Sequence, residues 1–105
     1  MTKIKISWIS SARSDVEKIK RYYKDVAGID VAKRIALNIK IQVDILKTHP
    51  EIGQEEETLK SLNEGHRYLV SGNYKIIYKV LNKTVFITTV FDTRQNPNKL
   101  VKRNK

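Results

Sequence analysis

The chain has 105 residues, of which 40% are hydrophobic and 30% charged, a balance typical of one globular domain rather than a disordered segment. It contains no cysteine, which excludes disulfide frameworks, cysteine-ligated zinc and thiol catalysis, and fits a reducing cytoplasm. The formal net charge of +10 predicts an acidic partner, either nucleic acid or an acidic protein.

Residues 1–12 alternate lysine with isoleucine and hold no signal-peptide core. No run approaches the roughly 20 apolar residues of a membrane span, so neither secretion nor membrane insertion is expected. Within residues 3–9, Ile4, Ile6 and Trp8 alternate with polar residues, which predicts a half-buried strand. Ser10-Ser11 offers a helix N-cap, and Ser14-x-x-Glu17 a capping box just beyond it. Ala12, Val16, Ile19, Tyr23 and Val26 then form one helical stripe that Gly28 interrupts. Asp30 offers a cap to a second helix with the stripe Ala32, Ile35, Ala36, Ile39, Val43 and Leu46, widened by Ile41 and Ile45. His49-Pro50 ends it, because a residue before proline resists the helical region. Two striped helices joined at one glycine predict an αα-hairpin.

Residues 51–64 hold five acidic side chains and one basic, with Leu59 and Leu62 placed to pin this connector to a core. A dense β region follows. Residues 66–71 predict a strand and Gly72-Asn73 a turn. Residues 74–81 form a strand that is apolar on both faces and therefore central, Asn82-Lys83 a two-residue turn, and residues 84–91 a last strand. Asn96-Pro97-Asn98 ends regular structure, and residues 65–105 carry nine basic side chains against one acidic. The expected fold is α+β, in the order β-α-α-β-β-β: a helical hairpin packed on one face of a mainly antiparallel four-stranded sheet. Its other face is left open to a partner or substrate. Residues 1–105 form a single domain with a basic tail over about residues 98–105. The expected core is Trp8, Ile19, Tyr23, Ile35, Ile39, Val43, Ile76, Tyr78, Val80, Ile87 and Val90.

These residues carry a resemblance. Trp8, Ala12, Asp15 and Val16 form a W-x-x-x-A-x-x-D-V pattern, followed by Ile19 and Tyr22, then Pro50-x-x-Gly53. Arg67-Tyr68-Leu69-Val70 leads into Asn73 to Val80, and Val90 to Pro97 completes the set. In order and spacing the chain resembles the RelE/ParE superfamily of toxins from type II toxin–antitoxin modules. The resemblance implies the same β-α-α-β-β-β fold, growth inhibition, a role in plasmid stabilization, a cytoplasmic location and a cognate antitoxin as partner. It implies no cofactor. Members divide by target: some cleave mRNA on the ribosome as mRNA interferases, whereas others inhibit DNA gyrase without nuclease activity.

RNA cleavage through the 2′-hydroxyl needs a base, an acid and cations that stabilise the crowded phosphate. The resemblance places Arg67, Lys75 and Arg94 on the family's basic positions, with His66 as the proton carrier if the chain is a metal-independent endoribonuclease. Asp92 and Glu64 are the remaining base candidates. Lys75 lacks the bidentate fork of an arginine. Asn98, Lys99 and Leu100 stand where a nuclease carries a tyrosine, and Phe91-Asp92 where some carry histidine and tyrosine. This incomplete acid–base set favours the ParE-like, gyrase-directed reading over ribosome-dependent cleavage. A non-toxic basic binding module is the third reading. Under the target-binding readings, Arg67, Lys75, Arg94, Lys99, Lys102 and Arg103 form a cationic surface, with Arg67, Lys75 and Arg94 on the sheet face away from the helices. The competing readings are a solvent-exposed strand end for His66, an Asp92–Arg94 pair that fixes its loop, and a mobile tail. No ligand spacing predicts a metal.

Overall fold

The computed structural model describes residues 3–104. The chain runs β1 (Lys5–Trp8), α1 (Ser10–Ala27), α2 (Ile29–Ile45), β2 (Gln54–Glu55), a 3₁₀ helix (Glu57–Leu62), β3 (Arg67–Ser71), β4 (Tyr74–Leu81), β5 (Thr84–Asp92) and α3 (Asn98–Asn104). The strands form one sheet in the order β1-β5-β4-β3-β2. β1 lies parallel to β5, and the other neighbours are antiparallel. The doubly apolar β4 is central, as its composition predicts. The sheet has five strands rather than the expected four, because Gln54 and Glu55 pair with Tyr68 and Arg67.

Local chemistry sets the joints. Gly28, at φ +99°, is both the C-cap of α1 and the N-cap of α2, a backbone geometry that disfavours side chains. Asn82 and Lys83 both have positive φ and close the β4–β5 hairpin in two residues. The expected cap at Ser10-Ser11 does not form. Helix α1 already begins at Ser10, its N-cap is Ile9, and no side chain caps it. The Ser11 hydroxyl donates instead to the Thr88 carbonyl at 3.0 Å, tying the helix start to β5.

Alternation along the strands divides the sheet into two faces. Ile19, Ile39, Val43 and Leu46 of the hairpin region bury against Tyr74, Ile76, Tyr78, Val85, Ile87 and Val90. Trp8, Tyr23 and Ile35 flank this core as partly buried members. Val80 departs from expectation: it sits near the end of β4, beyond the cover of the helices, and stays 39% exposed. Each fully buried aliphatic side chain contributes roughly 1.5–3 kcal/mol, so this cluster dominates stability.

The second face is not open. Leu59 of the 3₁₀ helix and Leu100 of α3 bury against Ile77 and Phe91 as a smaller core. Residues 98–104, expected as a loose tail, are therefore a helix anchored by Leu100. Ile77 shares the lysine side of β4, so that side is half apolar, and burying it against the tail is what orders α3.

Candidate functional site

Arg67, Lys75 and Arg94 do not converge. Arg67 is opposite Tyr78 in the β3–β4 ladder and so lies on the helix-facing side of the sheet. Its guanidinium donates to the carbonyls of Gly53, at 2.8 Å, and Glu51, at 3.3 Å, holding the loop after α2. Lys75 is one residue from Tyr74 and Ile76 and points to the opposite side. Its ammonium is 2.9 Å from Glu56, a carboxylate that is 2% exposed, and 4.3 Å from the centroid of the Tyr68 ring. Glu56 also accepts from the Thr58 amide and so caps the 3₁₀ helix. Both cations expected to face a target on one open surface are therefore tied to their own chain, on opposite faces. The cause is the period of two: positions 67 and 75 fall on opposite parities across the ladder.

Arg94 lies in the loop after β5. Asp92 receives its Nε at 2.9 Å, its Nη2 at 2.8 Å and its backbone N–H at 2.9 Å. The Arg94 side-chain bonds hold the Asp92 carboxyl below its ordinary pKa, with burial opposing more weakly, and the carboxylate raises the guanidinium in turn. The Arg94 side chain remains 62% exposed, so it presents donors to a partner while Asp92 fixes its direction. Around it a groove of about 370 Å³ is lined by Asp15, Lys18, Tyr22, Tyr74, Arg94 and Gln95, among others. Tyr22 is exposed and stands edge-on to Tyr23 at 5.1 Å. Burial and the Tyr23 hydroxyl push the Tyr74 phenol well above its ordinary range, so it stays protonated.

Asp15 organises this end of the molecule. It accepts from the Val90 amide at 3.0 Å and binds Arg103 through both carboxylate oxygens, at 3.1 and 2.9 Å. Arg103, expected as a target contact, thus clasps α3 to α1. Lys99 and Lys102 are exposed on α3. Sequence reasoning missed the roles of Asp15 and Glu56. Asp15 stands in the W-x-x-x-A-x-x-D-V pattern, which was its one signal. Nothing in the sequence separates Glu56 from the other acids of its connector.

His66 is buried at 3% exposure and lies next to Arg67 in the chain, on the opposite parity. Its neighbours are Lys79 and Arg103 rather than Arg67 or Arg94. Burial lowers its pKa, with Glu64 opposing. Glu64 pairs with Lys79 at 3.1 Å. The four residues expected to share a nuclease site occupy separate surroundings.

Set beside known proteins, this chain with its helical hairpin on a five-stranded sheet falls in the class of toxins of type II toxin–antitoxin systems. The family described as the ParE toxin of the type II toxin–antitoxin system parDE matches residues 6–97, and the chain belongs to that family. Toxin ParE1 of Caulobacter vibrioides is 28% identical over 69 residues, which cover 66% of this chain and 69% of that protein. The fold superposes on a solved structure described as the chromosomal ParDE TA system from P. aeruginosa with a TM-score of 0.72. That match covers 85% of this chain and 95% of the other at 20% identity, a likeness of fold. The chain is thus a ParE-like toxin of a toxin–antitoxin system, and its partner is a cognate antitoxin. Among the described residues no helix is long and apolar enough to cross a membrane.

Proposed function

We propose that this toxin inhibits DNA gyrase by binding it in the cytoplasm, without cleaving RNA, and that its contact surface is the loop after β5 with the outer side of α3. Arg94, Lys99 and Lys102 are the contact residues. The observation that carries this reading is the dispersal of the basic side chains. Cleavage through a 2′-hydroxyl needs a base, an acid and cations around one phosphate. Arg67 holds a loop, Lys75 neutralises a buried carboxylate, and His66 lies in a separate cavity. Arg94 keeps exposed donors in a fixed direction, as a binding residue requires.

Paired assays test this. In the first, purified toxin is added to gyrase supercoiling reactions with trapping of the cleavage complex. In the second, it is added to programmed ribosomes and the mRNA is mapped for cuts. Inhibited supercoiling with intact mRNA is the expected result. Cuts at ribosomal A sites with unaffected gyrase would overturn it in favour of the ribonuclease reading.

A further inference from the structure

A cavity of about 170 Å³ lies where α1 begins, on the side of the sheet that α3 covers. Ile9, Ser11, His66, Lys79, Thr88, Arg103 and Asn104 line it. Its volume is well below that of a drug-sized pocket yet ample for one small polyatomic group. The 18-residue helix above it has no side-chain cap and no acidic residue in its first turn. Among the described residues, no backbone acceptor pairs with the N–H groups of Ser10 and Ser11. The positive end of the helix dipole is therefore left without a counter-charge.

A second observation is independent of the helix. His66 is 97% buried, and its Nδ1 has no hydrogen-bond partner, the single such side-chain atom among the described residues. An unpaired buried polar atom is costly, and a site that receives a ligand is one reason to retain it. Two cations complete the wall. Arg103 gives two of its five donors to Asp15, and Lys79 is held by Glu64 at 3.1 and 3.4 Å. The Glu64 side chain is 37% exposed and can turn to water, whereas that of Asp15 is 12% exposed and fixed by the Val90 amide.

We propose that this cavity binds one phosphate group, with the Ser11 amide of α1, His66, Lys79 and Arg103 as its donors, and that the phosphate displaces Glu64 from Lys79. The site is separate from the Arg94 loop and stands whatever the toxin's target is. The probes are inorganic phosphate and sulfate, titrated into the full chain at constant ionic strength set with sodium chloride. Binding is read from the NMR signals of the His66 ring and of the Ser10 and Ser11 amides. Saturable shifts that chloride does not produce are expected. Lys79→Gln should weaken binding roughly tenfold, the effect of losing a charged hydrogen bond. Glu64→Gln removes the competitor and should tighten binding about twofold to fivefold. Glu57→Gln, in the same acidic connector, should leave it unchanged. A nucleoside 5′-monophosphate that binds more tightly than inorganic phosphate assigns the group to a nucleotide end, and equal or weaker binding assigns it to the free ion. Linear shifts that match chloride, or equal affinity in Lys79→Gln and Glu64→Gln, would overturn the proposal.

Discussion

The Gly53 amide donates a 2.8 Å hydrogen bond to the hydroxyl of Tyr78, inside the protein and 25 residues away in sequence. A Cβ at position 53 would fall on that hydroxyl and within 2.8 Å of the Tyr68 carbonyl. Glycine is needed here for close approach, since φ at this position is not in the left-handed region. The contact seats the loop after α2 against the central strand and lets β2 pair with β3. Tyr78→Phe should leave the Gly53 N–H buried without a partner and cost about 1–3 kcal/mol. Gly53→Ala should cost at least as much, because backbone must move to admit the methyl group. Urea denaturation of both variants checks this, and a Tyr78→Phe midpoint equal to wild type would contradict it.

Ile39 is 1% exposed at the centre of the larger core. Ile39→Ala should lower unfolding free energy by about 2–5 kcal/mol, the range for truncating a buried aliphatic side chain. A loss below about 1 kcal/mol would mean that the cavity collapses freely and the hairpin is loosely seated.

Lys75→Met should destabilise the fold, because it strands the buried Glu56 carboxylate. The expected loss is about 1–3 kcal/mol. The double variant Glu56→Gln with Lys75→Met should recover part of it, since removing both members of a buried pair costs less than removing one. A double-mutant cycle in chemical denaturation measures the coupling. An exposed, target-facing Lys75 would instead leave the melting curve unmoved.

Arg94→Ala should relieve growth inhibition while melting and antitoxin binding persist, because its side chain is exposed and its pairing is local. Lys99→Ala with Lys102→Ala should weaken inhibition in the same direction. Truncation after Pro97 is a poor substitute, since it removes the buried Leu100 and the Arg103–Asp15 clasp and should unfold the smaller core. Growth curves beside melting curves separate loss of target contact from loss of fold.

Stability should fall with acidification through the histidine range. Burial holds the His66 pKa below its ordinary 6.5; the Lys79 charge acts in the same direction, while Glu64 and Glu56 oppose it. Below 6.5 the unfolded chain takes up a proton that the folded chain still refuses, so protonation favours unfolding. The stabilisation is complete above that pH and is lost as pH falls toward the folded-state value. Thermal melts from pH 8 to pH 5 of the wild type and His66→Gln test this. The variant should lack the drop that begins near pH 6.5.

Much of the fold was legible because apolar spacing records which side of each element is buried. Residues 74–81 announce a central strand by carrying apolar groups on both faces, and Asn82-Lys83 announces its turn by residue type. β2 was illegible because Gln54 and Glu55 are exposed and their pairing depends on a distant tyrosine. α3 was illegible because its seven residues contain only two apolar ones, Leu100 and Val101, and its order comes from docking onto Ile77 and Phe91. The site was harder still. Arg67 and Lys75 look alike in a list of cations, and only the strand register puts them on opposite faces. The acidic connector supplies the carboxylate that neutralises Lys75, a pairing set in three dimensions.

The parallel pairing of residues 5–8 with residues 84–87 bears on how the toxin comes into being. Residues 5–8 find their neighbour only after residues 84–87 have been translated, and the Asp15–Arg103 clasp closes later still. Contacts of such long sequence separation form slowly. A nascent chain, or one released early, therefore holds its helical hairpin without a finished sheet and lacks the β5 loop that orients Arg94. The topology builds in an interval between the synthesis of the hairpin and the completion of the sheet, during which an antitoxin can meet its toxin before the toxin is complete.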